Sequence, residues 1–215
     1  QAKGFSICKW SIPGSTPYTL GHGLGSEPKW ILIKSRTGGN TWWTVYHASL
    51  GNQSRMYLNE TNAASSGESY MNSTSPTSSV FTLSSASDFT GDMVAYCWSE
   101  VSSFSKFGSY TGNGSSTGPT ITTGFKPAFV LVKKANASES WILQDFARST
   151  SNPRNKKLSP NSSNAESTQT FCDFLDNGFQ LKTSVNGEGN DSGSTYIYMA
   201  FADNLSGEGC DSLVD

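Results

Sequence analysis

Between Pro28 and Lys34 the chain places four apolar residues in a row, Trp30-Ile31-Leu32-Ile33, bounded by a proline and a lysine. A short run of this kind, rich in β-branched residues and closed by polar ones, predicts a strand buried on both faces. The pattern returns 99 residues later as Pro127-Ala128-Phe129-Val130-Leu131-Val132-Lys133. Around each copy the apolar positions alternate with polar ones, and glycine, proline, serine and asparagine interrupt them. Strands are therefore expected at residues 4–10, 18–20, 28–34, 41–47, 55–59, 80–83 and 93–98, and again at 107–111, 120–123, 127–133, 141–146, 171–175, 179–181 and 196–202. Two long polar stretches, 61–76 and 152–170, are expected as loops. No window carries a helical period.

The closing strands carry the duplication in detail. Placing Trp98 on Phe201 sets Val94 on Ile197, Tyr96 on Met199 and Glu100 on Asp203. Side chains alternate across a strand, so Val94, Tyr96 and Trp98 share one face and Ala95 and Cys97 the other. The bulky face reads as core and the small one as a surface for close packing. About seven short strands per copy, evenly spaced, is the pattern of a β-sandwich. The expected fold is all-β: two tandem, similar sandwiches of the jelly-roll or lectin kind, at residues 4–103 and 104–203, with 204–215 leading to a following domain or tail.

Composition narrows the function classes. Charged residues make up 15% and the formal net charge is −2, while aromatics reach 12%. The aromatics suffice for a core, which excludes the signature of a disordered chain. With no basic cluster beyond Arg154-Asn155-Lys156-Lys157, read as a solvated loop, nucleic acid is not expected as a partner. No apolar run approaches the ~18–20 residues of a membrane helix. Gln1-Ala2-Lys3 runs straight into strand-like sequence, as in a chain cut from a longer one. The four cysteines, Cys8, Cys97, Cys172 and Cys210, form no metal-binding spacing. Cys8 and Cys97 fall in the first and last strands of one copy and could be joined in a disulfide; burial as free thiols is the simpler reading.

Candidate chemistry is sparse. No nucleophile elbow, zinc-protease motif or phosphate loop is present, and no catalytic residue is assigned. His47 aligns with Asp145 in the second copy, so it is read as a strand-end residue bonded to backbone, and His22, between glycines, as a turn residue. Glu100 and Asp203 occupy equivalent strand ends and are not read as a glycosidase pair. Residues 186–191 (Asn-Gly-Glu-Gly-Asn-Asp) are rich in oxygen donors, which makes Glu188 and Asp191 weak candidates for calcium; Ser87-Asp88 and Gly91-Asp92 are the counterpart. Neither loop has the spacing of a known cage, and otherwise no cofactor is expected. Trp42 is the best binding candidate. Trp43 aligns with Trp141 and reads as core, whereas Trp42 aligns with Ser140 and either faces outward or is buried against a neighbouring loop or subunit. An outward tryptophan can stack on a sugar or anchor a protein contact, with Tyr70 in the following loop as its companion.

Several segments resemble repeats in uncharacterised tail and virion proteins of marine and environmental bacteriophages. They are Phe104-Ser105-Lys106-Phe107-Gly108-Ser109-Tyr110-Thr111-Gly112-Asn113-Gly114, Gly21-His22-Gly23-Leu24-Gly25, Val45-Tyr46-His47 with Ser49-Leu50-Gly51, and Tyr196-Ile197-Tyr198-Met199-Ala200-Phe201-Ala202. Cys8-Lys9-Trp10 departs from the usual Tyr-Thr-Gly-Asn-Gly. The resemblance implies a non-enzymatic structural and adhesion module of a virion, part of a tail or surface fibre that contacts the host surface through its long polar loops. Other virion subunits, a homo-oligomer, and a host glycan or protein are the partners it implies. A carbohydrate-binding module and a capsid decoration or filament subunit are the alternatives.

Overall fold

The computed structural model describes residues 4–12, 17–38, 42–84, 89, 91–184 and 189–203. Among these residues there is no helix. In chain order the strands are β1 (Phe5–Ser11), β2 (Tyr18–Gly21), β3 (Trp30–Ser35), β4 (Thr44–His47), β5 (Met56–Tyr57), β6 (Val80–Leu83) and β7 (Asp92–Trp98). There follow β8 (Ser105–Thr111), β9 (Thr120–Thr122), β10 (Pro127–Lys134), β11 (Ile142–Asp145), β12 (Arg154–Lys157), β13 (Ser167–Leu175), β14 (Gly178–Leu181) and β15 (Thr195–Ala202).

All pairings are antiparallel. One sheet runs β1-β7-β3-β4-β5 and another β8-β15-β10-β11, the same order for the first four strands. The remaining sheets, β2-β6 and β9-β14-β13-β12, share the pairing of the second strand with the hairpin strand. Registers repeat as well. Trp30 lies opposite both Trp98 and His47, and Phe129 lies opposite both Phe201 and Asp145. Leu20 faces Phe81 as Ile121 faces Phe179. Even a side-chain cap is copied: the backbone N–H of Trp43 donates to Asn59 Oδ1, and that of Trp141 to Asn161 Oδ1, both at 2.8 Å.

Three apolar clusters order the sheets into four layers. Ile31, Ile33, Met93, Ala95 and Cys97 meet Phe81 and Leu83 in the first outer core. Val130, Val132, Tyr198 and Ala200 meet Phe171, Phe174, Phe179 and Leu181 in the second. Between them a third cluster joins Trp30, Leu32, Val45 and Met56 to Phe107, Leu131, Trp141, Ile197 and Met199. The strands β3 and β10 are therefore buried on both faces because each sheet packs on a neighbour from either side, as their unbroken apolar runs predict.

That central core corrects the expected roles of the two faces of the closing strands. The small face, Ala95 and Cys97, fills a sandwich core together with Met93. The bulky face, with Tyr96 and Trp98 in one copy and Ile197, Met199 and Phe201 in the other, packs between the two halves. In the second outer core a glycine makes room for a ring: a Cβ at Gly108 would lie 2.8 Å from the Tyr198 hydroxyl oxygen and 2.9 Å from its ring.

Two other expectations fail. The basic segment 154–157 is not a solvated loop but β12, paired with β13. Its polarity hid a strand of which only Arg154 is buried. Nor is 61–76 a free loop. Ala64 N–H donates to the Ala135 carbonyl (2.8 Å), Glu139 N–H to the Thr61 carbonyl (2.8 Å), and the buried Lys133 ammonium to the Thr61 carbonyl (3.1 Å). Tyr70 and Met71, further along, are fully buried. The stretch is a seam between the halves.

Candidate functional site

Trp42 enters just before β4 and is 38% exposed. Its ring lies 4.9 Å from that of Tyr57, tilted by 31°. Beneath Tyr57 comes the Arg55 guanidinium, 5.5 Å from the Tyr57 centroid and 5.6 Å from that of Tyr70. Glu68 pairs with Arg55 at 3.3 Å. The result is a column from surface to interior: Trp42, Tyr57, Arg55, Tyr70. Stacked π-faces and a cation between rings hold such a column in one geometry.

The two residues expected to form one platform are thus the ends of this column. Trp42 is partly exposed. Tyr70 is not: it is only 1% exposed, its hydroxyl donates to the Ser54 carbonyl at 3.0 Å, and burial drives its pKa well above the usual tyrosine value. The companion ring is Tyr57, which lies on β5. Its pairing with β4 brings Thr44 opposite Tyr57, so it was sheet register and not sequence proximity that selected it.

A second run of aromatic rings lies on the other face of this sheet, the one that carries Val45 and Met56. Trp43 stacks on Tyr96 at 6.4 Å, and tilted contacts follow from Tyr96 to Trp98 at 6.4 Å and from Trp98 to Phe5 at 5.0 Å. Phe5 belongs to β1, the edge of its sheet, where Ile7 is 61% exposed. Trp43, Tyr96 and Trp98 are half-buried, and their outer edges with Phe5 and Ile7 form a strip along the sheet face.

Other sequence candidates fall into structural roles. His47 is buried; its Nε2–H donates to the Tyr198 carbonyl at 3.3 Å and its Nδ1 accepts from Ser49 N–H at 3.0 Å. Burial takes its pKa down to about 4, so the ring is neutral at physiological pH. His22 is bonded likewise, to the Thr77 carbonyl and from Leu24 N–H. Glu100 pairs with Lys106 at 3.0 Å and accepts from Phe107 N–H.

For the calcium reading, Glu188 and Asp88 lie outside the described residues. Asp191 is bound to Lys134 at 2.5 Å, and among the described residues no group of three or more His, Cys, Asp or Glu lies close enough to hold a metal. The oxygen-rich loop has another use. Asn190 is buried and its Nδ2 donates to Asn113 Oδ1, the Ser115 carbonyl and the Thr183 carbonyl, while its Oδ1 accepts from Asn113 N–H. It staples the Thr111–Gly114 turn to the sheet. Cys8 and Cys97 are free thiols. Cys8 lies opposite Ala95 and Ser6 opposite Cys97, so the two sulfurs are diagonal neighbours on one face.

A comparison with protein families finds one match, a domain of unknown function (DUF7483), over residues 1–204. The chain belongs to the DUF7483 family. No curated protein matches it, and no solved structure does. In this DUF7483 chain one family description spans both copies of the strand order, which accords with the apolar core they share.

Proposed function

We propose that this DUF7483 chain is a non-catalytic structural and adhesion module of a bacteriophage virion, part of a tail or surface fibre that touches the host cell surface. The observation that supports this reading is the exposed Trp42 ring, backed by Tyr57 and Arg55 in a rigid column. A pre-ordered aromatic ring binds with little entropic loss, and a four-layered β body is a stiff mount for it. The phage setting comes from the sequence resemblance alone. The edge strand β1, with Phe5 and Ile7 outward, is suited to contacts with a second copy or another subunit.

The test is adhesion. Purified chain is applied to host cells and to a glycan array, with Trp42→Ala alongside, and antibody labelling locates the chain on intact particles. Loss of binding in the variant, with label on tail or surface fibres, supports the reading; undiminished binding by the variant, or label absent from particles, sinks it. A second reading, a carbohydrate-binding module, draws on the same Trp42–Tyr57 pair, whose tilted rings suit the apolar face of a sugar. Array binding without any attachment to virions would favour that reading. Label on capsid or filament would favour a decoration subunit.

A further inference from the structure

The geometry points to a second binding site, for a carboxylate-bearing sugar of the uronic acid kind, in the open end of the sandwich formed by β8–β15, with Arg154 as its anchor. A cavity of about 540 Å³ lies there between the start of β10, the turn after β11, the start of β12 and the end of β15. That volume falls within the range of small-molecule sites.

Arg154 lines this cavity and is only 5% exposed. Its guanidinium lies 4.8 Å above the Phe174 ring. One terminal N–H donates to the Ser149 carbonyl, and Nε has no partner among the described residues. Its position is locked from below: the Asn152 side chain donates to the Phe174 carbonyl (2.8 Å) and accepts from Phe174 N–H (2.9 Å). Arginine stays charged even when buried, and a buried cation without a counterion is costly. The two carboxylates nearest in charge terms are already engaged, Asp145 by Arg148 at 2.6 Å and Asp173 by Lys182 at 3.4 Å. By contrast Arg55, the other deeply set arginine, has Glu68. A ligand carboxylate would supply a counter-charge at the guanidinium's remaining terminal nitrogen.

The walls specify the rest. Phe125 and Phe146 line the cavity, and Phe146 is 37% exposed, so its ring offers a stacking face at the mouth. Lys126 stands at the rim, held among the described residues by Asp176 at 3.5 Å with both side chains largely in solvent, a contact weak enough to exchange. Asp203 also lines the site. Asp203 and Asp176 offset Arg154 and Lys126, so the site does not favour a doubly charged phosphate. Thr150 adds a hydroxyl for the sugar's own. The cavity shares no residue with the Trp42 column, so either site can fail without the other.

Calorimetry on the full chain with trigalacturonate, its methyl ester and cyclohexanecarboxylate tests the site. The acid should bind, and the ester should bind more than about tenfold more weakly, the loss expected of a charged hydrogen-bonded pair. Phe146→Ser and Lys126→Ala, both at the rim and compatible with folding, should each weaken the acid several-fold, and Arg154→Gln should abolish it. Equal binding of acid and ester, no binding of the acid, or binding unmoved by both rim variants would overturn the site. Cyclohexanecarboxylate binding as tightly as trigalacturonate would overturn the sugar assignment.

Discussion

The indole N–H of Trp141 donates to the backbone carbonyl of Tyr57 across the central layer, at 2.9 Å. Trp141 also packs 5.8 Å from Trp30, centroid to centroid. One residue of the second half thus closes the first half's edge strand and fills the core between them. Trp141→Phe keeps most of the bulk but orphans the carbonyl, and should cost about 1–3 kcal/mol. Trp141→Ala should cost about 3–5 kcal/mol. Urea unfolding followed by tryptophan fluorescence and circular dichroism measures both.

The shared core also predicts how the chain behaves when divided. Residues 1–103 alone would expose Trp30, Leu32, Val45 and Met56, all buried in the whole chain. That piece should bind hydrophobic dye and melt without a sharp transition. A cooperative melt comparable with that of the full chain would show that the central layer contributes little.

His47 makes stability depend on pH. Its usual value is 6.5, and burial lowers it to about 4 in the fold, with the Tyr198 carbonyl and Glu100 acting weakly the other way. Between those values the unfolded chain binds more protons than the folded one. The contribution is therefore complete above pH 6.5 and is lost as pH falls towards 4, by up to about 3 kcal/mol. Urea midpoints at pH 7, 5.5 and 4.5 should fall accordingly, and His47→Gln should flatten that slope.

Asn190 is a donor that aspartate cannot replace. Asn190→Asp would leave the Ser115 and Thr183 carbonyls and Asn113 Oδ1 without its N–H groups and place a charge in a buried site. A loss of about 3 kcal/mol or more is expected, read as a drop in melting temperature that added calcium does not restore.

Of the three free cysteines in the described residues, Cys8 should react first. A hydrogen bond from the Cys97 thiol lowers its pKa to about 7 against the opposing effect of burial, while the bond to Cys8 and burial push Cys97 up. Cys172 is buried and pushed up chiefly by that burial, with Arg154 opposing and Asp173 adding to it. Iodoacetamide labelling followed by mass spectrometry should place the first adduct on Cys8, with a rate that rises through pH 7, and leave Cys172 unlabelled until the chain unfolds.

The architecture was legible because period and punctuation are local. Trp30–Ile33 and Phe129–Val132 announced their burial by having no polar face, and alternation with glycine-rich turns marked most of the other strands. For Trp42 the sequence left exposure and burial both open, and the fold leaves its ring partly exposed over Tyr57. Strand β12 was missed since Arg154, Asn155, Lys156 and Lys157 are all polar, and a strand made by pairing alone leaves no apolar trace.

What the sequence by itself determined is the all-β class, the twofold repetition of strand order and which positions are apolar, since each depends on neighbours along the chain. Only the tertiary structure decided what those apolar faces meet. It put the bulky sides of β7 and β15 between the halves, sent Tyr70 inward and brought Tyr57 beneath Trp42. It also left Arg154 buried over Phe174, with the neighbouring Asp145 and Asp173 paired to other cations. These outcomes depend on contacts between residues far apart in sequence, where packing and charge pairing are settled by which sheet lies on which.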